Sequence, residues 1–477
     1  MSLMDLGASD LSRLIAAGEI RPSEVMAAYL DRLAAGSPIN AIVAGRNADE
    51  LMDEARAADE APHTGWLHGL PLAVKDLVAV RGVRTTYGSP LYADHIPAAD
   101  DLVAARLRAA GAIFTGKTNT PEWGHGSHSF NPVYGVTRNP YDLSRTAGGS
   151  SGGAAAALAA RLVPVADGSD MMGSLRNPAA FCNVYGFRPS WGLVPADAEG
   201  DTFMATLATD GPMGRTVEDV SRLLETLSGE NPAVPFGQPR YRHGQAVAPD
   251  LSGLRIGWLG DWGGAYACEP GILDLCREGL AVLEQLGAVV EEVPPPFSAA
   301  ELWTAWVHLR GFLNAGSKGP LWADPDKRAR LKPETVWEIE FGQSVTAAQV
   351  HAASVTRSRW FAAASAVFDR YDLLVMPSAQ VWPFPAEWRW PRAINGRSMD
   401  TYHRWMEVVV PVSLIGLPSL AVPCGFGASG LPTGMQLIGR HGADARVLAA
   451  GEAYHRATQW PQRRPPHGIA PVCDVTD

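Results

Sequence analysis

The stretch from Gly148 to Arg176, GGSSGGAAAALAARLVPVADGSDMMGSLR, decides the fold because its local character changes three times. A glycine-rich turn comes first, then the helix-forming run AAAALAARL, then the apolar strand LVPVA (Leu162 to Ala166), and finally a polar loop from Gly168 to Arg176. Alanine and leucine favour helix, and a short apolar run followed by a polar loop reads as a buried strand. A helix that feeds directly into such a strand implies α/β architecture, whose sheets carry catalytic groups at the carboxyl ends of their strands.

The same texture extends in both directions. Upstream lie LPLAV from Leu70, the helical segment Asp100 to Ala110 and GAIFTG from Gly111; downstream lie LRIGWLG from Leu254, a helix from Gly271 to Leu286, AVVEEV from Ala288 and YDLLVMPS from Tyr371. The first sixty residues predict packing helices, one with Asp10 before Leu11, Leu14 and Ile15, another opened by Pro22-Ser23-Glu24. Val408 to Gly439 carries no charge, but Pro411, Pro418 and Pro423 recur too often for a lipid-exposed helix and predict short buried strands separated by turns. No repeat or flexible linker divides the chain. One large domain is expected, with packing helices over 1–65, a core over 66–226, a variable helical region over 227–370 and core strands with a helix over 371–477.

Composition excludes several functions. The 477 residues carry a formal charge of −10, so no general basic surface exists to neutralise phosphates or anionic lipid. The five cysteines are far apart and form no C-x-x-C pair, which argues against a disulfide framework and a thiolate metal site and predicts a reducing, cytoplasmic setting. The N-terminus has no basic region before an apolar core and predicts no secretory signal.

Four segments carry candidate chemistry. Gly111-Ala-Ile-Phe-Thr-Gly-Lys-Thr118 fits the phosphate-binding pattern, but an apolar strand fills its middle and Asn119-Thr120-Pro121 follows where a helix is required, so Lys117 is expected at a strand end or turn. Gly148-Gly-Ser-Ser-Gly152 fits the nucleophile-elbow pattern without the apolar strand that should precede it, and a serine N-cap is the plainer reading. Lys75 interrupts an apolar run, so it pairs with a carboxylate, for which Asp76 is adjacent, reaches water, or stays neutral and basic. In the loop from Gly168, Ser174 is the exposed hydroxyl, successive N–H groups can converge on an oxyanion, and Asp170 with Arg176 can pin the backbone.

Taken in this order and spacing, Lys75, GGSSGG and the Gly168 to Arg176 loop resemble the amidase signature family of serine hydrolases. GKTNTPEW from Gly116, TRNPYD from Thr137, RNPAAFCNVYGFRPSWGLVP from Arg176, YDLLVMPS from Tyr371, and GLPSLAVPCGF with GLPTGMQLIGR extend the resemblance over nearly the whole chain. It implies a single α/β domain with a mixed β-sheet sandwiched between helical layers. It further implies a triad without cofactor or metal, in which Ser174 is the nucleophile, Ser150, after a cis peptide bond, the proton relay, and Lys75 the general base. The backbone of Met171, Met172, Gly173 and Ser174 would form the oxyanion hole, supported by Ser151, Asp170 and Arg176. The expected reaction is hydrolysis of a non-peptide amide, anilide or carbamate bond through an acyl-enzyme, with side esterase activity.

One departure stands out. Where the family reads Asp-x-Gly-Gly-Ser, this chain has Asp170-Met171-Met172-Gly173-Ser174, and a methionine resists positive φ. An oxyanion hole of altered backbone, with Met171 or Met172 lining the acyl pocket, is the expectation. Trp303, Trp306, Trp382, Trp388 and Trp390 either line an apolar cleft for a bulky aryl or alkyl substrate or fill the core. The expected partner is a small amide or carbamate, bulky and apolar, with neither nucleic acid nor membrane and with a homodimer left open. The alternatives are the glutaminase subunit of a tRNA-dependent amidotransferase and a non-catalytic nucleotide-binding protein using GAIFTGKT.

Overall fold

The computed structural model describes residues 2–34, 38–197, 200–244 and 250–468. Cys473 lies outside the described residues, and the other four cysteines carry free thiols.

Eleven strands carry the architecture: β1 (Ile42–Val43), β2 (Pro71–Lys75), β3 (Ile113–Thr118), β4 (Val165–Asp170), β5 (Tyr185–Arg188), β6 (Thr209–Gly214), β7 (Arg255–Trp258), β8 (Val289–Glu292), β9 (Leu373–Pro377), β10 (Ser419–Phe426) and β11 (Pro432–Gly439). Eight of them form a mixed sheet in the order β8-β7-β9-β11-β10-β5-β6-β4, and β1-β3-β2 form a second, three-stranded sheet. Parallel pairing is confined to β7 with β8 and β9 in the first and to β2 with β3 in the second. The two meet where edge strand β4 passes β2. There the Asp167 carboxylate accepts the Lys75 N–H at 3.1 and 3.3 Å, so a side chain replaces the next rung of the ladder.

Helices α1 (Ala8–Ala16), α2 (Pro22–Ala34), α3 (Ala48–Glu60) and α4 (Leu102–Ala109) come first in the chain, and alternation along the strands sorts the helices that follow onto two faces. On β9, Leu373 and Val375 join a core with α7 (Val217–Leu227), α8 (Ile272–Gln285) and the helix Asp444–Thr458, whereas Leu374 and Met376 face an aromatic-rich core with Trp262, Trp306 and Trp360. The second face also holds α5 (Gly152–Ala159) and α6 (Arg176–Cys182), buried along their whole length. The mixed sheet therefore lies between helical layers, as expected from the sequence.

Several local expectations need correction. The first helix begins at Ala8 with Gly7 as its cap, so Asp10 lies inside its first turn. The strand after α5 starts at Val165 and runs to Asp170, so the polar loop is only the turn that joins it to α6. Val408 to Leu414 is helical, with Pro411 in its first turn where a missing N–H costs nothing, and the uncharged run becomes strand only from Ser419. Pro423 sits in β10 where the pairing shifts register. The middle region is dominated by α9 (Ala299–Ala323), α10 (Pro333–Ser344) and α11 (Ala347–Phe368).

Candidate active site

Lys75 ends β2 and is fully buried. Its ammonium reaches Ser150 Oγ at 2.8 Å, Ser151 Oγ at 2.8 Å and Ser169 Oγ at 2.9 Å. Burial lowers its pKa from 10.5 to about 8, against the pull of Asp210, Asp167 and Asp170. Asp76 is not its partner: that carboxylate accepts from Thr86 N at 3.0 Å and Thr86 Oγ1 at 2.5 Å, and the cation acting on it is Lys117. Lys117 is buried within β3 and donates to the Val78 carbonyl and to Thr85 Oγ1. From Ile113 onward GAIFTGKT is thus strand, with no phosphate-binding turn between its glycines.

The glycine-rich turn brings the serines to Lys75. The Gly149–Ser150 peptide bond is cis. Ser127 Oγ donates to the Gly149 carbonyl, and Ser129 Oγ donates to the Ser150 carbonyl at 3.3 Å and accepts from Gly152 N at 3.1 Å. Ser151 occupies the N-cap position of α5, yet its hydroxyl makes no capping bond and serves Lys75 instead. Gly153 has its own reason, because a Cβ there would strike the Asn119 backbone.

Ser174 is buried at 7% exposure, less open than the sequence suggested. Its carbonyl accepts the Ser151 N–H at 3.2 Å, so its turn is bonded directly to the serine pair around Lys75. Asp170 organises that turn: it accepts from Gly173 N at 2.9 Å, Leu175 N at 3.2 Å, and Arg176 Nε and Nη2 at 3.0 Å, with Arg188 Nη1 at 3.2 Å. Burial alone would raise this carboxyl, but the Arg176 and Arg188 guanidiniums hold it well below the usual carboxylate range. Arg176 in turn donates to Gln436 Oε1 at 2.8 Å and Ser413 Oγ at 2.7 Å, tying the turn to β11 and the helix Val410–Leu414.

The methionine substitution falls where it does no harm to the backbone. Met172 is not among the residues of positive φ, whereas the retained Gly173 has φ +79°, and a Cβ there would run into Asn177 Oδ1. Met172 is buried in the aromatic-rich core, and Met171 Sδ accepts a hydrogen bond from Arg310 Nη1 at 3.0 Å. Arg310 is itself bound to Glu338 at 2.6 Å and to Tyr402 Oη at 2.9 Å. The tryptophans divide: Trp303 and Trp306 belong to the core, Trp382 and Trp390 pack against its edges, and Trp388 is 53% exposed.

Ser169, Asp167 and Asp210 were not expected at the site. Once β4 is known to run to Asp170, alternation groups Ser169 with Asp167, and Ser169 lies directly across from Asp210 on β6; read as a loop, the segment gave no such signal. The two buried histidines that follow Trp123 in the chain do not compete with Lys75. His125 is spent on Thr335 Oγ1 (2.9 Å) and Asn314 Oδ1 (3.0 Å), His128 on Thr146 Oγ1 (2.7 Å) and the Ala386 carbonyl (2.9 Å), and burial holds both rings neutral with pKa about 3.

Comparison with known proteins gives this lysine and serine arrangement its context. The Amidase family matches residues 24–448. The chain belongs to the amidase family. A curated relative, the acylamidase of Rhodococcus erythropolis, is 34% identical over 96% of this chain and 97% of its own length. A glutamyl-tRNA(Gln) amidotransferase subunit from Moorella thermoacetica is also 34% identical, over 98% of this chain and all (100%) of its own. Among solved structures, a bacterial aryl acylamidase of the amidase signature family superposes with a TM-score of 0.89 at 30% identity, covering 96% of this chain and 97% of that one. This member of the amidase family is accordingly a hydrolase of carbon–nitrogen bonds. No helix among the described residues is long and apolar enough to cross a membrane.

Proposed function

We propose that this amidase cleaves small amides through an acyl-enzyme on Ser174. The observation that carries the reading is the buried Lys75 amine within 2.8 Å of Ser150 Oγ, on a turn hydrogen-bonded to that of Ser174. A serine hydroxyl is a poor nucleophile until a base takes its proton, and a lysine near pKa 8 is partly amine at neutral pH. Ser174 Oγ attacks the carbonyl carbon while its proton passes to Ser150 Oγ and the Ser150 proton passes to Lys75 Nζ. The oxyanion is met by backbone N–H groups of Met171, Met172 and Ser174, since that of Gly173 is committed to Asp170. Collapse breaks the C–N bond, and the proton returns through Ser150 to the departing nitrogen. Water, deprotonated by the same relay, then hydrolyses the Ser174 ester. Esters enter the same path, because C–O cleavage asks less of the leaving group.

The glutaminase reading would require groups for the free carboxylate and ammonium of glutamine. Arg310, the buried cation touching Met171, is already neutralised by Glu338 at 2.6 Å, which favours a neutral acyl group. Single-turnover amine release tests the mechanism: the wild type should release one equivalent from an activated amide in a fast phase. Ser174→Ala and Lys75→Ala should lose at least roughly a thousandfold in rate while staying folded. Substantial turnover in either variant contradicts the assignment.

A further inference from the structure

We propose that Lys75 exchanges its proton with solvent through Ser169 and Asp210, by way of a cavity separate from the serine turns, so that the base can be reset while Ser174 is occupied. The inference rests on the catalytic roles proposed above and adds the path by which the proton leaves.

Lys75 has no exposed surface, and two of its three partners have almost none: Ser150 is 2% exposed and Ser151 is fully buried. Ser169, the third, is partly exposed. Alternation on β4 puts it on one face with Asp167, and it lies directly across from Asp210 on β6. Directly opposed side chains stand on the same face with Cβ atoms about 4.5–5.5 Å apart, room enough for one bridging water between hydroxyl and carboxylate. Asp210 is also the carboxylate that acts most strongly on Lys75.

Asp210 opens the other way. It lines a cavity of about 240 Å³ with Trp191, Val194, Asp197, Asp201 and Val234, and the exposed Ala205 and Ala208 line it too, so the space reaches solvent. Lys75, Ser150, Ser151 and Ser174 take no part in its wall. The other two carboxylates of the lining are committed, Asp197 to Leu102 N at 2.8 Å and Asp201 to Phe203 N and Met204 N at 3.1 and 3.0 Å. The Asp210 carboxylate accepts no hydrogen bond among the described residues, which leaves it available as a carrier. Desolvation and the Asp167 charge raise it to about 7, near Lys75 at about 8, and groups so closely matched pass a proton in either direction.

The proton balance calls for such an outlet. Hydrolysis to a carboxylate and a neutral amine or alcohol releases one proton, and a lysine left as ammonium cannot serve the next attack. In the path drawn here the Nζ proton moves to Ser169 Oγ while the Ser169 proton moves through the bridging water to Asp210, which releases it into the cavity. Lys75 ends as the amine, and Ser169 and Asp210 end as they began.

The test is the rate at which the Lys75 ammonium protons exchange with solvent. Lys75 is one of five lysines, with Lys117, Lys318, Lys327 and Lys332, so NMR of protein labelled with nitrogen-15 lysine resolves it. At about pH 6, where the ammonium predominates, Asp210→Asn should slow exchange at least roughly tenfold, and the small base imidazole should restore it. A wild-type signal lost to fast exchange should reappear in that variant. The sign decides between roles, because loss of the Asp210 charge alone makes the ammonium a stronger acid and speeds exchange. Lys117, equally buried, is the reference and should not change. Ala208→Trp, which plugs the cavity without touching the base, should also slow exchange and carries the test if Asp210→Asn does not fold. Exchange that is unchanged or faster in either folded variant, or a slowing in Asp210→Asn that imidazole does not relieve, overturns the outlet. A wild type that takes no fluorophosphonate adduct overturns the catalytic roles instead, and the exchange rates then still report the proton path by themselves.

Discussion

Lys75, the proposed base, shows how a single residue's surroundings make a surface-type side chain easier to deprotonate. Three hydroxyls receive its N–H groups while burial lowers its pKa to about 8. Only the amine can take a proton, so kcat/KM should rise about tenfold per pH unit below that value and level off above it. Asp210 favours the ammonium, so Asp210→Asn should move the midpoint to lower pH. A flat profile between roughly pH 6 and 9, or a midpoint that moves upward, contradicts this account of the base. Residue chemistry also separates Gly173 from Met172. Gly173→Ala must bend a turn of positive φ and so displace the flanking Met172 and Ser174 N–H groups, which should cost at least roughly a hundredfold in kcat, the size of losing one oxyanion donor. Met172→Ala leaves a void in the aromatic core and should cost about 3 kcal/mol of stability, read by urea unfolding.

At the scale of elements, the turns that hold the proposed catalytic residues depend on helices that carry none of them. Arg310 on α9 and Glu338 on α10 are both buried and paired, with Tyr402 and Asn314 completing the bonds at 2.5 and 3.2 Å to Glu338. Glu338→Gln leaves the guanidinium without its counter-charge and should destabilise the protein by about 3–5 kcal/mol, visible as a lower urea midpoint; a change below about 1 kcal/mol contradicts a structural role for the pair. This pairing was not legible in the sequence, because neither residue lies in a motif and their meeting depends on how two helices cross. β2 and most of β3 were legible as apolar runs, as were the strand, helix and strand of β7, α8 and β8, whereas only Val165 and Ala166 of β4 fell within the apolar run and its polar half read as loop. Val408 to Leu414 was misjudged because uncharged, proline-containing sequence suits a buried helix start as well as a strand.

Across the whole molecule, what could be read was what the chain encodes locally, and what could not was what two sheets make by meeting. Lys75, the serines of the glycine-rich turn and Ser174 were visible as candidates through glycine spacing and a lysine in an apolar run, but only the family resemblance joined them into a triad. Ser169 and Asp167 did not, since their roles follow from β4 lying at the edge of one sheet against β2 of another. Asp76 was the nearest carboxylate to Lys75 along the chain, yet the fold turns it toward Thr86 and Lys117. Met172 raised an expectation about backbone geometry that only the φ angles of its turn could answer.

The account stands on Ser174 being activated through Ser150 by Lys75. Intact-mass spectrometry after exposure to a fluorophosphonate measures that directly and needs no knowledge of the substrate. One adduct on the wild type, none on Ser174→Ala, and labelling slowed by at least roughly a hundredfold in Ser150→Ala and Lys75→Ala is the predicted result. An adduct that survives Ser174→Ala, or equal labelling rates with and without Lys75, would contradict it.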